Sequence, residues 1–197
     1  MNPIVIIANY RTGSNAYGSM LARDHNFIPF LEPHLRQDAL KEFQTVLSSN
    51  NNDFLLKIMP DQIEAHVAYK EILSNDCYKI KMTRDDKVEQ IVSLYVARQT
   101  DAWTSYNSLL REKKYSVPIN PGALMNVIEY ILKMDKLLDN CGIDFDQSIT
   151  YESIKESLIK NGNLLGHEKL IAPINYEELK QYTNKLINER YSSTKSS

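Results

Sequence analysis

The sequence predicts an α/β fold: a single domain with a mostly parallel β-sheet flanked by helices. Three observations carry that prediction. Short apolar, β-branched runs such as Ile4-Val5-Ile6-Ile7 have the composition of strands buried on both faces. Amphipathic stretches of helical period separate these runs, and strand alternating with helix implies a mostly parallel sheet. With 197 residues, 43% of them hydrophobic and 24% charged, the chain is long enough for one ordinary domain with a real core.

The elements follow in order. Pro3 to Asn9 reads as a buried strand, and a helix is expected from about Ser14 to Asp24. Phe27 to Leu31 forms a second short strand. Gln37 to Ser48 has helical spacing through Leu40, Phe43 and Leu47, and the polar run Ser48 to Asn52 closes it. Phe54 to Met59 is the next strand, Asp61 to Leu73 a helix, and Tyr78 to Met82 a further strand. A long helix starts near Asp86, with Val88, Ile91, Val92 and Tyr95 on one stripe, and is expected to continue through Trp103 towards Leu110. Tyr115 to Asn120 is a loop, after which Asn120 is an N-cap, Pro121 the first helical residue and Gly142 the stop. Ser148-Ile149-Thr150 ends another strand, followed by a helix to Asn161 with Gly162 at C′. Residues 163–175 read as irregular and Tyr176 to Arg190 as the last helix. The domain is expected to span 1–191, with 192–197 a flexible tail.

The formal net charge of −2 argues against broad nucleic-acid binding, which needs a basic surface. Cys77 and Cys141 have no metal-like spacing and make no disulfide framework. The histidines His25, His34, His66 and His167 are scattered, so no metal site is expected. No stretch approaches the roughly 18 apolar residues of a membrane span, and no secretory leader is visible. The expected location is the cytoplasm. A homo-oligomer stays open.

Chemistry concentrates where strands end. In "VIIANYRTGSN", a strand runs into the small polar turn Arg11-Thr12-Gly13-Ser14-Asn15 and on into a helix. Gly13 lets the backbone approach an anion, Thr12, Ser14 and Asn15 can donate hydrogen bonds, and Arg11 adds a fixed charge. An ordinary turn with Ser14 as N-cap fits the local sequence as well. The turn lacks the GxxxxGK[ST] pattern of nucleotide triphosphatases. In a second cluster, Arg84 follows a strand and Ser93 lies nine residues on, amid the apolar stripe of the long helix. A phosphate between them would satisfy a buried Ser93 hydroxyl; a carboxylate partner for Arg84 and a helical carbonyl for Ser93 is the commoner arrangement.

Taken together, "YRTGSN", "RDDKVEQIVSLYVARQTDAW", "FLLKIMPDQI" and "ITYESI" resemble the sulfotransferases that use 3′-phosphoadenosine 5′-phosphosulfate (PAPS), most closely the bacterial trehalose-sulfotransferase group. These segments span roughly residues 5–155, and their order and spacing carry the likeness. The resemblance implies a sulfotransferase, P-loop NTPase-like fold and transfer of a sulfuryl group from PAPS, leaving PAP, to a carbohydrate, glycolipid or other small hydroxyl acceptor. Arg11, Thr12, Gly13, Ser14 and Asn15 would bind the 5′-phosphosulfate, Arg84 and Ser93 the 3′-phosphate, and Tyr151 would lie near the adenine. Lys57 would lie near the transferred group, although a snorkelling surface lysine is the alternative. Tyr10 replaces the family's proline and Asn15 its last loop hydroxyl, and the stretch from Lys160 to Lys169 stands where a glycine-rich loop is usual.

Sulfuryl transfer needs a base for the acceptor's proton. The histidine used by the cytosolic branch is Met59 here, whereas "FLEPHL" resembles the F-E-P segment of carbohydrate sulfotransferases. Glu32 is therefore the candidate base and His34 the reserve. Two other readings remain: a small-molecule or nucleotide kinase on the same fold, and a PAP-binding module without activity. A kinase would want a Walker lysine and a magnesium carboxylate, and residues 10–15 offer neither pattern.

Overall fold

Five strands form one all-parallel sheet: β1 (Ile4–Ala8), β2 (Ile28–Leu31), β3 (Phe54–Ile58), β4 (Tyr78–Thr83) and β5 (Gln147–Thr150), in the order β2-β3-β1-β4-β5. The computed structural model describes residues 2–49, 53–101, 115–160, 173 and 175–194. The expected helix extension through Trp103 to Leu110, the polar residues at 50–52, Gly162 and the 161–169 stretch lie outside them.

The helices are α1 (Ser14–His25), α2 (Gln37–Ser48), α3 (Gln62–Ala65), α4 (Val67–Ser74), α5 (Lys87–Thr100), α6 (Pro121–Asp139), α7 (Tyr151–Lys160) and α8 (Tyr176–Thr194), with one 3-10 turn at Pro33–Leu35. Chain packing divides the protein into two compact units: Met1–Asp85 with Met134–Asn163, and Asp86–Lys133 with Leu164–Ser197.

The first unit holds the sheet. All five residues of β1 and of β3 are buried, as the apolar runs predict for central parallel strands. Alternation sorts them by face. Val5, Ile7, Phe30, Phe54, Leu56 and Ile58 pack with Phe43 of α2, Ile63 of α3, Tyr69 and Ile72 of α4, and Leu138. On the other face lies α1, where Gly18 approaches so closely that a Cβ there would stand 3.0 Å from Leu31 and 3.2 Å from Leu55. The chain leaves β1 towards β2 on one side, whereas β4 leads to β5 on the other. Connections therefore diverge above the carboxyl ends of β1 and β4, the place where open α/β sheets collect ligands.

Two expectations are corrected here. Asp61 to Leu73 is not one helix, because His66 adopts an extended conformation (φ −132°, ψ 115°) that separates α3 from α4. Helix α8 runs through Thr194, into the stretch expected as a tail. Helix α5 ends at Thr100, with Asp101 in the left-handed conformation.

The second unit is helical. Asp86 caps α5 by accepting from the Glu89 backbone N–H at 2.9 Å. Tyr95, fully buried on the predicted stripe, donates to the Pro118 carbonyl and accepts from the Asn120 N–H. Asn120 caps α6 through Ala123 N–H, as its position before Pro121 predicts. Tyr176 on α8 donates to Glu89 at 2.6 Å. Among the described residues no helix is long and apolar enough to cross a membrane.

Candidate functional site

Burying a polar group costs free energy unless it is hydrogen-bonded, so where such groups gather is informative. Of the eight buried polar or charged residues among those described, Asn9, Thr12, Ser14, Glu32, Lys57 and Gln62 all stand at or just beyond the carboxyl ends of β1, β2 and β3.

The turn after β1 is built by Asn9 and Thr12. Asn9 Oδ1 accepts from the Tyr10 N–H at 2.6 Å, and its amide donates to Asp135 at 2.9 Å. Thr12 Oγ1 donates back to the Asn9 carbonyl. Its side chain thus braces the turn from inside, while Asn15 is exposed. Arg11 and Gly13 both take the left-handed conformation, at φ 59° and φ 73°. Gly13, not Ser14, is the N-cap of α1, and no side chain caps the helix. The first-turn N–H groups of α1 therefore lack the side-chain acceptor that usually satisfies them, a state suited to an anion.

Glycine is required at 13 for a second reason: a Cβ there would meet the Tyr151 ring at 2.7 Å. Tyr151 opens α7 directly after β5 and covers the turn. Its ring also carries the Arg84 guanidinium, 4.6 Å from the ring centroid. Arg84 Nη1 donates to the Arg11 carbonyl at 3.0 Å, and its Nε lies 3.8 Å from Glu152. Arg84 and Tyr151 thus meet at the loop itself. Ser93 stands on α5 of the second unit, half-buried between Val92 and Leu94.

Beyond β2 and β3 the structure brings together Glu32 and Lys57. Leu31 pairs in register with Lys57, and the Glu32 N–H extends the ladder by donating to the Lys57 carbonyl at 2.8 Å. Lys57 is 1% exposed, so it is no snorkelling surface lysine; its ammonium donates to Glu32 Oε1 at 2.5 Å and reaches Met59 Sδ at 3.5 Å. By alternation Lys57 shares with Leu55 the sheet face that α1 covers. Burial holds the Lys57 ammonium below its ordinary range, and Glu32 opposes that shift. Glu32 is likewise buried, not solvated, and adopts φ 56°. A left-handed non-glycine residue costs about 1–2 kcal/mol, and both Arg11 and Glu32 carry that strain in turns that leave the sheet.

His34 stands two residues on, in the 3-10 turn, with Nδ1 3.1 Å from Tyr69 Oη. Burial lowers its basicity; His66 and Lys57 add to that, while Glu32 and Asp61 oppose it. Gln62, which the sequence places in a motif with Lys57 and Met59, accepts from the Met59 N–H at 2.7 Å and ties the end of β3 to α3.

The sequence reading missed Asn9, His66 and Tyr69. Asn9 had a signal, a polar side chain ending a strand that is otherwise wholly apolar. Tyr69 had none, because an aromatic residue on an amphipathic helix reads as core. Among the described residues no cluster of three or more His, Cys, Asp or Glu is arranged to hold a metal ion. The sequence matches no protein-family model and no curated protein.

Proposed function

We propose that this protein is a PAPS-dependent sulfotransferase acting on a hydroxyl acceptor, with a carbohydrate or glycolipid the acceptor class favoured. What carries this reading is the gathering of buried polar side chains at the carboxyl ends of three adjacent strands, beside an α1 N-terminus that no side chain caps. That arrangement suits a phosphate ester bearing a transferable group, and it agrees with the motif order in the sequence.

In this reading the turn Arg11–Asn15 binds the 5′-phosphosulfate and Lys57 meets its anionic oxygens. The acceptor oxygen attacks sulfur, the bond from sulfur to the bridging phosphate oxygen breaks, and PAP leaves with the bonding pair. Glu32 takes the acceptor's proton. Its Oε1 accepts from Lys57, and the donor's negative charge competes for that ammonium. Arg84 binds the 3′-phosphate while bracing the Arg11 carbonyl.

Calorimetry with PAP and AMP, followed by transfer of labelled sulfate from PAPS to a panel of hydroxyl acceptors, tests this. PAP is expected to bind more tightly than AMP, and Arg84→Ala to weaken both, PAP the more. Equal affinities for PAP and AMP in the unmodified protein would remove the PAPS assignment.

A further inference from the structure

Tyr69 is fully buried, and its hydroxyl sits against Nδ1 of His34. The two aromatic rings cross nearly edge-on, at 78° and 6.1 Å between centroids. His66 packs on both, 5.3 Å from His34 and 5.0 Å from Tyr69. The break between α3 and α4 makes this possible: Tyr69 N–H donates to the His66 carbonyl and starts α4 in a direction a continuous helix would not take.

A buried phenol has one proton to place and lone pairs to fill. The hydroxyl's hydrogen-bond partner in the structure is His34 Nδ1, at 3.1 Å. The hydroxyl proton is then placed against Nδ1. Burial pushes the phenol up to about 12, so the proton is present throughout the neutral range. Nδ1 accepts, and a neutral ring must carry its own N–H on Nε2. The groups facing the ring are Glu32 from its own turn, Lys57 from β3, Asp61 at the start of α3, and His66 and Tyr69 around α4; with burial, their sum keeps the imidazole neutral.

Nε2 lies across the ring from Nδ1, away from the buried phenol. His34 is only half-buried, and the residues that follow it and His66, Leu35 and Val67, are 65% and 73% exposed. We infer that Tyr69 fixes His34 as a hydrogen-bond donor through Nε2, which holds the oxygen of an acceptor hydroxyl and leaves that hydroxyl's proton to Glu32. The inference rests on the sulfuryl-transfer reading for the identity of the ligand, but the tautomer does not. Tyr69 is a positioning residue here. His34 cannot serve as the base at Nε2, because that nitrogen already carries a proton.

Long-range ¹H–¹⁵N NMR of the unliganded protein reads the tautomer directly, with His34→Gln identifying the resonances. The expected result is an unprotonated Nδ1 and a protonated Nε2 at neutral pH, with a titration midpoint below 6.5. Tyr69→Phe, which preserves the ring volume, is expected to mix the tautomers and raise that midpoint. A protonated Nδ1 in the unmodified protein overturns the inference. In the transfer assay, His34→Ala is expected to raise the acceptor KM roughly tenfold, the scale of one lost hydrogen bond. His34→Gln, which restores a donor near the Nε2 position, should recover most of that loss with the pH profile of kcat retained. A glutamine variant as inactive as the alanine one, with the acid limb of the profile gone, would make His34 the base and overturn the assignment. A protein that keeps the Nε2–H tautomer but transfers no sulfuryl group refutes the reaction and not the His34–Tyr69 arrangement.

Discussion

At the scale of single residues, the buried Glu32–Lys57 pair has a large energetic consequence. Each charge is buried, and each is compensated by the other. Removing one partner of such a pair strands the remaining charge in a medium that solvates it poorly, which typically costs about 3–5 kcal/mol. Lys57→Met and Glu32→Gln should therefore each lower stability by about that amount in urea unfolding. The double variant should be less destabilised than the sum of the two, by about 0.5–3 kcal/mol of coupling. Additive losses would mean that the two side chains are held independently. Nothing local to either residue announced this pair. Lys57 sits in an apolar run and Glu32 in a loop, 25 positions apart, and only the parallel register of Leu31 with Lys57 sets them side by side. The candidate roles were legible from motif position, but the contact was not.

At the scale of elements, the junction from β1 through the turn into α1 was legible, and the reason is physical. A short, continuous, β-branched run such as Ile4-Val5-Ile6-Ile7 reads as a central strand, and a small polar turn holding a glycine marks where it stops. Helix α2 was equally readable, since its apolar spacing has a clear period and its observed span, Gln37–Ser48, is the one predicted. The α3–α4 break was not legible, because Ala65, His66 and Val67 offer neither glycine nor proline and no break in pattern. The contact between Gly13 and Tyr151 joins the first turn to the last strand's helix and makes a test of the junction. Gly13→Ala carries two separable costs: about 1–2 kcal/mol for an alanine held at φ 73°, and a clash with the Tyr151 ring. Tyr151→Ala in the Gly13→Ala background should relieve the clash and leave the backbone cost. The double variant should then be more stable than the sum of the two single losses predicts. If the two losses simply add, the ring does not press on residue 13.

At the scale of the whole sheet, strand order decides which turn can reach a ligand. Only β1 sends its chain towards β2 while β4 sends its chain the other way, so the turn after β1 borders the crevice that this divergence leaves. Arg11 occupies that turn with its carbonyl held by Arg84, and its left-handed backbone is kept in place by the turn's own hydrogen bonds through Asn9 and Thr12. The backbone that carries the guanidinium is thus set before any ligand arrives. In the proposed reaction charge builds on the bridging oxygen as the bond to sulfur breaks, so Arg11 acts chiefly in the transition state. Loss of one such donor typically lowers turnover by about 10²–10³. Arg11→Ala should therefore reduce kcat on that scale while weakening PAP binding much less, as separate transfer kinetics and calorimetry would reveal. Chelation separates this chemistry from phosphoryl transfer, whose charge is met by magnesium. With Arg11 and Lys57 supplying the positive charge, EDTA should leave the unmodified protein's rate unchanged. Loss of transfer on chelation, with recovery on adding magnesium, would instead assign the turn to a kinase-like reaction.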